Sequence, residues 1–463
     1  MRFKGDLEKD NIGKLLLTLS LPAMIGMTVN ALYNVVDTFW VGKLGPEAIA
    51  ALTIVFPIQM IMVAIASGTG IGLTSLISRR LGEGRKNDAS NIAEHGILLI
   101  IIYGLIIPIL AIPNAENLVI FFGATPELIE LASDYVAIVL AGSVFLFFAI
   151  MSGSMIQAEG NAGTPMKSMV VGATTNMILD PFLIFGIGPF PALGVQGAAT
   201  ATIISQFIAC SVNFKYLFFN ESHVRPALLT LRLNPYIILD IYKVGFPSMV
   251  MQIMNSVIVV ILNWILGAYG FIAIGAMGIF FRVQALIFMP IMGLVQGFLP
   301  IVGYAYGAKR LDRMKQAIKK ASTVAFIIMT IGFLAFQLIP ETLVTIFNDD
   351  PNLVDIGVEC MHYISILLPL VGPAIILSST FQAVGKGFTA MWLSLLRQVV
   401  LLIPFLFILP NYFGLKGVWI SFPASDIISI AVTVLVIYLF LNKLETKGFE
   451  KVQNTKTITV PKR

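Results

Sequence analysis

Twelve long apolar stretches run through this 463-residue chain, and they constrain its fold more than any other feature. A helix that crosses a membrane needs roughly 20 consecutive, mainly apolar residues. Charged residues make up only 12% of the chain, against about 25% in soluble domains. We therefore predict an all-α polytopic membrane protein with twelve transmembrane helices. Their approximate positions are 14–37, 48–76, 92–113, 130–151, 165–187, 195–219, 238–265, 271–302, 317–339, 356–379, 389–410 and 415–441.

Lysine and arginine residues are concentrated in alternate connections between these stretches. Most of the 30 lie at the N-terminus, around residues 79–88, 215–243 and 309–320, or in the C-terminal tail. Basic connections stay in the cytoplasm under the positive-inside rule. We predict a multi-pass protein of the cell inner membrane with both termini cytoplasmic. The net charge of +5 reflects this topology and does not indicate a nucleic-acid partner.

The sequence contains an internal repeat at an offset of 225 residues. Glycine, proline and asparagine positions coincide at this offset: Pro22 with Pro247, Asn30 with Asn255, Gly68 with Gly293, and Gly72 with Gly297. Each copy holds six spans, and six is even, so both copies insert in the same orientation. Two bundles that face each other across a cleft are typical of secondary transporters. The predicted divisions are an N-lobe (1–220), a cytoplasmic linker (221–237), a C-lobe (238–445) and a cytoplasmic tail (446–463).

Two acidic residues inside the spans have no counterpart in the second copy. Asp37 aligns with Leu262, and Asp180 falls near Ile403. A charge at membrane depth costs at least ~2.5–3.5 kcal/mol on insertion scales, so an unrepeated acid indicates function. The alternative is that both acids are solvated near helix ends. Neutral oxygen ligands that could join them are Asn176, one helical turn before Asp180, Thr202, and the neighbours of Asp37, Asn34 and Tyr33.

Carboxylate, amide and hydroxyl oxygens suit a hard monovalent cation or a shared proton. The spans hold further polar residues with separate interpretations. A structural ion pair between C-lobe helices is the preferred role for Arg282, Arg397 and Asp426, with substrate or gating contacts as the alternative. The polar candidates for lining the cleft are Gln59, Gln157 and Asn255.

The chain lacks the motifs of membrane-associated enzymes and ATPases. It has no P-loop, no H-E-x-x-H and no G-x-S-x-G, and no polar segment is long enough for an ATPase domain. We predict a protein that is not an enzyme and has no cofactor. Uphill transport would then draw on an ion gradient, with H⁺ or Na⁺ as the coupling ion.

Several segments together resemble the multidrug and toxic compound extrusion (MATE) family over nearly the whole chain. They are "LSLPAMIGMTVNALYNVVDTFWVGKLG" (19–45), "ISRRLGEGRKNDA" (77–89), "NMILDP" (176–181), "GVQGAATA" (194–201) and "VGYAYGAKRLD" (302–312). The resemblance implies twelve helices in two lobes. It also implies export of amphipathic, often cationic compounds in exchange for H⁺ or Na⁺.

Carried over residue by residue, the cation site of the family's N-lobe falls on Asp37, Asn176, Asp180 and Thr202, and all four match in type. These residues would also be the Na⁺ ligands if Na⁺ is the coupling ion. Another branch has an acid at the position of Asn255, so the resemblance is to the prokaryotic, N-lobe-coupled (DinF-like) branch. A monomer in contact with membrane lipid is expected. The alternatives are a lipid or oligosaccharide-lipid flippase and, more remotely, a polytopic membrane enzyme or receptor.

Overall fold

The computed structural model consists almost entirely of long helices and describes residues 5–219, 222, 224, 226, 233–347 and 350–453. Within these ranges, ten helices are long and apolar enough to cross a membrane. Two further pairs of shorter helices, bent by 48° and 49°, each make one more span. The prediction of twelve transmembrane helices is therefore confirmed.

We number the spans α1 to α12 in chain order. The first six are α1 (Ile12–Gly42), α2 (Pro46–Gly82), α3 (Lys86–Ala111), α4 (Ile129–Ala141 bent into Ser143–Ala158), α5 (Gly163–Phe185) and α6 (Val195–Phe219). The next five are α7 (Pro235–Gly267), α8 (Phe271–Gly307), α9 (Leu311–Leu338), α10 (Pro351–Ser365 bent into Leu368–Ala383) and α11 (Gly387–Leu395, the π-helix Leu396–Leu402 and Ile403–Ile408). The last is α12 (Leu415–Gln453).

The internal repeat extends to elements outside the spans. A short helix, Ala115–Phe121, follows α3, and another, Pro340–Thr345, follows α9 at the same place in the second half. The bent spans α4 and α10 also correspond. Two six-helix lobes related by a repeat, as the sequence predicts, are therefore present in the fold.

The helices differ from the predicted spans mainly at their ends. Helices α2 and α8 continue one to two turns beyond the predicted boundaries, because an α-helix keeps its own hydrogen bonds after it leaves the membrane. Helix α12 runs through part of the predicted tail to Gln453, with a kink at Gly448. Most of the predicted linker, and the tail beyond Gln453, lie outside the described residues.

The two lobes contact each other in one half of the membrane thickness. Glycines allow the closest approaches: a Cβ on Gly72 of α2 would lie 2.3 Å from the Ile241 carbonyl oxygen of α7, and one on Gly307 of α8 would lie 2.1 Å from that of Arg79. The Ser75 hydroxyl donates to the Gln382 carbonyl of α10 at 2.6 Å. These contacts lie towards the face that carries residues 5–11 and the turns after α2 and α8, which we call the terminal face.

The lobes separate towards the opposite face, which we call the open face. The halves of α2 and α8 near the terminal face are mostly buried, whereas their other halves are mostly not. Large apolar side chains of α1, α2, α7 and α8 are exposed near the open face, among them Leu32, Phe56, Val260 and Leu286. The space between the lobes, bounded by these four helices, is referred to below as the cleft.

The N-terminal segment 5–11 lies across the terminal face and contacts both lobes. The Gly5 amide donates to the Gly160 carbonyl in the first lobe at 2.9 Å. In the second lobe, the Arg313 guanidinium of α9 donates to the Leu7 and Asp10 carbonyls at 3.0 and 2.9 Å. This segment therefore joins the two lobes on the side where they are closed.

Candidate cation site

The first lobe brings three of the four predicted cation ligands into hydrogen-bonding contact near the open face. The Asn176 amide of α5 lies 3.3 Å from the Asp180 carboxylate on the same helix and 3.4 Å from the Thr202 hydroxyl of α6. Asp180 is 0% exposed, Asn176 1% and Thr202 6%. One turn of α5 and the adjacent turn of α6 thus form the buried floor of the site.

Helix α1 carries the fourth predicted ligand, Asp37, and the neighbouring Tyr33. These residues are four apart and so share a helix face. Both interact electrostatically with Asp180 across the lobe. Asp37 is half-buried, in contrast to Asp180. The acid on α1 therefore lies at the more accessible side of the site, and the acid on α5 lies at its closed side.

The site contains more acceptors than the described residues can satisfy. Three buried oxygens have no hydrogen-bond partner in the part of the chain that the structure describes: Asp37 Oδ1, Asn176 Oδ1 and Asp180 Oδ2. A buried acceptor without a partner costs about 1–3 kcal/mol, and more when it is charged. A proton or a small cation bound among these oxygens would remove that cost.

The oxygen atoms of these four side chains favour a hard cation or a proton as the bound species. Carboxylate, amide and hydroxyl oxygens are the ligands of hard cations, whereas transition metals prefer imidazole and thiolate. Among the described residues, no three His, Cys, Asp or Glu side chains lie close enough to hold a metal ion together. The four predicted residues therefore fit H⁺ or Na⁺, and their role stays a prediction.

Tyr135 of α4 is a residue of this site that the sequence analysis missed. Its hydroxyl contacts the side chain of Gln59 on α2, and its ring lies close enough to interact electrostatically with Asp37 and Asp180. Gln59, predicted to line the cleft, thus lies against the wall of the cation site. The sequence offered one signal for this residue, because Tyr135 lies next to the charged Asp134 near the end of an apolar span.

Two other predicted residues lie elsewhere. Asn34 is exposed, and its amide donates to the Asn30 carbonyl one turn back on α1 rather than to the cation site, because it lies about 100° around the helix from Tyr33. Gln157 is buried at the terminal end of α4, so it does not line the cleft. Neither placement could be predicted, because a span that is apolar on every side gives no sequence signal for which of its faces points into the cleft or the site.

The second lobe has a polar cluster where α7, α11 and α12 meet. Arg397 Nε lies 2.5 Å from Asp426 Oδ1, and the Gln398 amide donates to Asn255 Oδ1 at 2.8 Å. Arg397 and Gln398 belong to the π-helix of α11, a conformation often found at functional sites. Arg282, predicted as a further member of a structural ion pair, is exposed on α8 and forms no ion pair with any described residue.

The Arg397–Asp426 pair is expected to matter for stability through its buried carboxylate. The Asp426 side chain is 6% exposed and that of Arg397 33%. Arg397→Gln should lower the melting temperature of the purified protein, because it leaves a buried charge unpaired. The double variant with Asp426→Asn should recover most of that loss. Equal melting temperatures for the single and double variants would contradict this role.

Comparison with known proteins gives one consistent result. The MatE family model matches residues 22–182 and 247–408, two segments at the offset of the internal repeat. The Staphylococcus aureus (strain MRSA252) multidrug export protein MepA is 28% identical over 447 residues, 96% of this chain and 98% of its own. The FAD transporter of Shewanella oneidensis is 27% identical over 422 residues, 90% of this chain and 92% of its own.

A solved structure gives the same result for the fold. A multidrug resistance MATE family transporter in its outward-facing conformation superimposes with a TM-score of 0.88 at 30% sequence identity. The superposition covers 95% of this chain and 98% of that one.

Proposed function

Because the chain belongs to the MatE family, whose members are transporters and not enzymes, we propose that it exports amphipathic or cationic drugs and other toxic compounds in exchange for H⁺ or Na⁺. The similarity to a multidrug export protein over 96% of the chain supports the class of substrate. The main observation in support of exchange with an ion is the group of three buried oxygens on Asp37, Asn176 and Asp180, which have no hydrogen-bond partner among the described residues.

The orientation of the protein in the membrane follows from the distribution of charge. Most Lys and Arg residues lie at or beyond the terminal face, which the positive-inside rule assigns to the cytoplasm. The cleft in this structure then opens to the outside, and the cation site lies near its mouth. An ion arriving from outside would reach Asp37 first, because that acid is the more accessible of the two.

Ion binding and substrate release are coupled through α1. This helix carries Asp37 on one side and bounds the cleft on the other, and it is interrupted by Pro22. Neutralising the acids would let α1 pack more closely against α5, which changes the shape of the cleft. The ion and the drug then compete through conformation without sharing atoms, and the coupling is reciprocal.

Transport by the purified protein in lipid vesicles tests the proposal and identifies the ion. With ethidium as the drug, we expect accumulation inside the vesicles against its gradient when a pH gradient or a Na⁺ gradient is imposed with the higher ion concentration inside, so that the ion leaves as the drug enters. Dissipating that gradient should stop accumulation. Vesicles without protein and vesicles with no ion gradient are the controls.

The two imposed gradients give distinguishable outcomes. Transport driven by the pH gradient at zero Na⁺ indicates proton exchange, and transport driven by Na⁺ at equal pH indicates sodium exchange. If neither gradient drives any movement of ethidium, the protein is not the proposed antiporter.

Anionic substrates are a second candidate class, favoured by a specific observation. The exposed Arg282, which forms no ion pair with any described residue, lies on a helix that bounds the cleft. One relative of this chain is an FAD transporter, and FAD is anionic.

A further inference from the structure

Arg282 lies on the side of α8 that packs against the first lobe three turns further along the helix. Gly293, eleven residues further along α8, packs against Met24 of α1. Eleven residues make three turns plus about 20°, so the two positions share one helix face. Gly278, one turn before Arg282 and about 40° around the helix from it, has no atom within 4 Å of the place where a Cβ would stand. A Cβ on Gly275, two turns before Arg282, would meet only Leu353 of α10, at 3.4 Å. This side of α8 is in contact with the first lobe at Gly293 and is exposed at Arg282.

The position of Arg282 is deep in the membrane. Helix α8 begins at Phe271, which places Arg282 about 16 Å along the helix at ~1.5 Å per residue. That is about half of the ~30 Å hydrocarbon thickness. From this depth the side chain cannot reach the headgroups, and an arginine in lipid would be costly. Its exposed guanidinium therefore faces the water-filled cleft.

The facing wall of the cleft offers no acid to neutralise this charge. Because α1 and α8 run antiparallel, the segment of α1 around residue 35 lies opposite Arg282. Asn34 and Thr38, both exposed, flank that position. Asp37 points about half a turn away, into the cation site of the first lobe. Since no described residue forms an ion pair with Arg282, its guanidinium is available to a molecule in the cleft.

We propose that Arg282 is the anion-binding residue of the cleft and recognises a carboxylate or phosphate group on an amphipathic substrate. This inference rests on the proposed transport function and adds a substrate class to it. The planar guanidinium has five donors in a fork that matches the two oxygens of such a group. Leu286, exposed one turn further along α8, provides an apolar surface for the rest of the molecule.

Binding of two dyes of opposite charge to the purified protein tests the proposal. The probes are fluorescein as the anion and ethidium as the cation. Arg282→Gln should weaken fluorescein binding about tenfold or more, a change that corresponds to about 1.4 kcal/mol. Ethidium binding should stay the same or become tighter, because a repulsive charge is removed. Arg282→Lys should give an intermediate affinity for fluorescein, since lysine keeps the positive charge but lacks the planar arrangement of donors of the guanidinium.

Lys43→Gln is the matched control. It removes one exposed positive charge beyond the end of α1 at the open face, where Lys43 lies over the Phe39 and Trp40 rings. Its affinity for fluorescein should equal that of the wild type. If phosphatidylglycerol displaces fluorescein from the wild type, an anionic lipid headgroup can supply the group that binds at this site.

Three outcomes would overturn the proposal. The first is that Arg282→Gln weakens binding of both dyes equally, which indicates a conformational role. The second is that it changes the binding of neither dye, which indicates a solvated arginine. The third is that the wild type binds and exports ethidium but does not bind fluorescein at all. Failure of the wild type to transport ethidium under any ion gradient is a different result, because it contradicts the antiport and not the anion site.

Discussion

Asp180→Asn is expected to reduce ion-driven drug accumulation to the level of protein-free vesicles. Asp180 is fully buried, its Oδ2 has no partner among the described residues, and its other oxygen is held by Asn176. An amide is nearly the same size but carries no charge and cannot take up a proton. The substitution therefore removes the exchangeable proton or cation while the packing of α5 on α6 is kept.

The measurement separates loss of coupling from loss of structure. Export is followed with ethidium in vesicles under an imposed ion gradient, and the melting temperature is measured on the same preparation. The melting temperature should hold or rise, because a neutral group is less costly to bury than a carboxylate. Accumulation at the wild-type rate by Asp180→Asn would show that this acid is not the coupling site.

Asp134→Asn is the matched control for this experiment. Asp134 lies in α4 next to Tyr135, but its carboxylate accepts from Gln196 at 2.7 Å at the surface of the protein. The same change of one carboxylate to an amide in the same lobe should leave coupled export unchanged. Asp37→Asn should behave like Asp180→Asn, because both acids line one site.

The features predicted well from the sequence are those that the membrane itself imposes. A spanning helix must satisfy its backbone hydrogen bonds internally, so apolar length translates directly into helix number. The repeat of glycine and proline positions then fixes the two lobes, since Gly72 and Gly293 each allow a close approach between them. The acids at 37 and 180 stand out because a buried charge is too costly to keep without a role.

The features that were missed depend on which way a side chain points. Gln157 and Arg282 lie in helices that are apolar on every side, where periodicity carries no information about facing. Arg282 and Arg397 were given the same role, yet of the two only Arg397 forms an ion pair in the part of the chain that the structure describes. Only the packing of the helices distinguishes a structural arginine from one that faces the cleft.

Gly72→Val is expected to shift the protein away from the conformation that is closed at the terminal face. A Cβ at this position would lie 2.3 Å from the Ile241 carbonyl oxygen and 3.2 Å from the Gly245 amide, and neither backbone atom can rotate away. Overpacking of this kind costs about 1–3 kcal/mol. The ratio of closed to open molecules should therefore fall by about fivefold to a hundredfold, because 1.4 kcal/mol is a factor of ten.

The accessibility of a cysteine between the lobes measures this shift. Ser75 is buried at the closed face, where its hydroxyl donates to the Gln382 carbonyl. In a background without Cys210 and Cys360, Ser75→Cys should react slowly with a maleimide, and the addition of Gly72→Val should speed the reaction by about the population change. Drug export should fall in parallel, since the state that opens outwards becomes less populated.

Gly278→Val in the same background shows whether the effect comes from contact between the lobes. Gly278 also lies inside a long transmembrane helix, so the change in helix propensity is the same, but its Cβ would meet no atom within 4 Å. Labelling at position 75 should then match that of the background. If Gly72→Val also leaves the labelling unchanged, the close approach of α2 and α7 does not hold the terminal face closed, and the N-terminal segment with its contacts to Arg313 becomes the next element to alter.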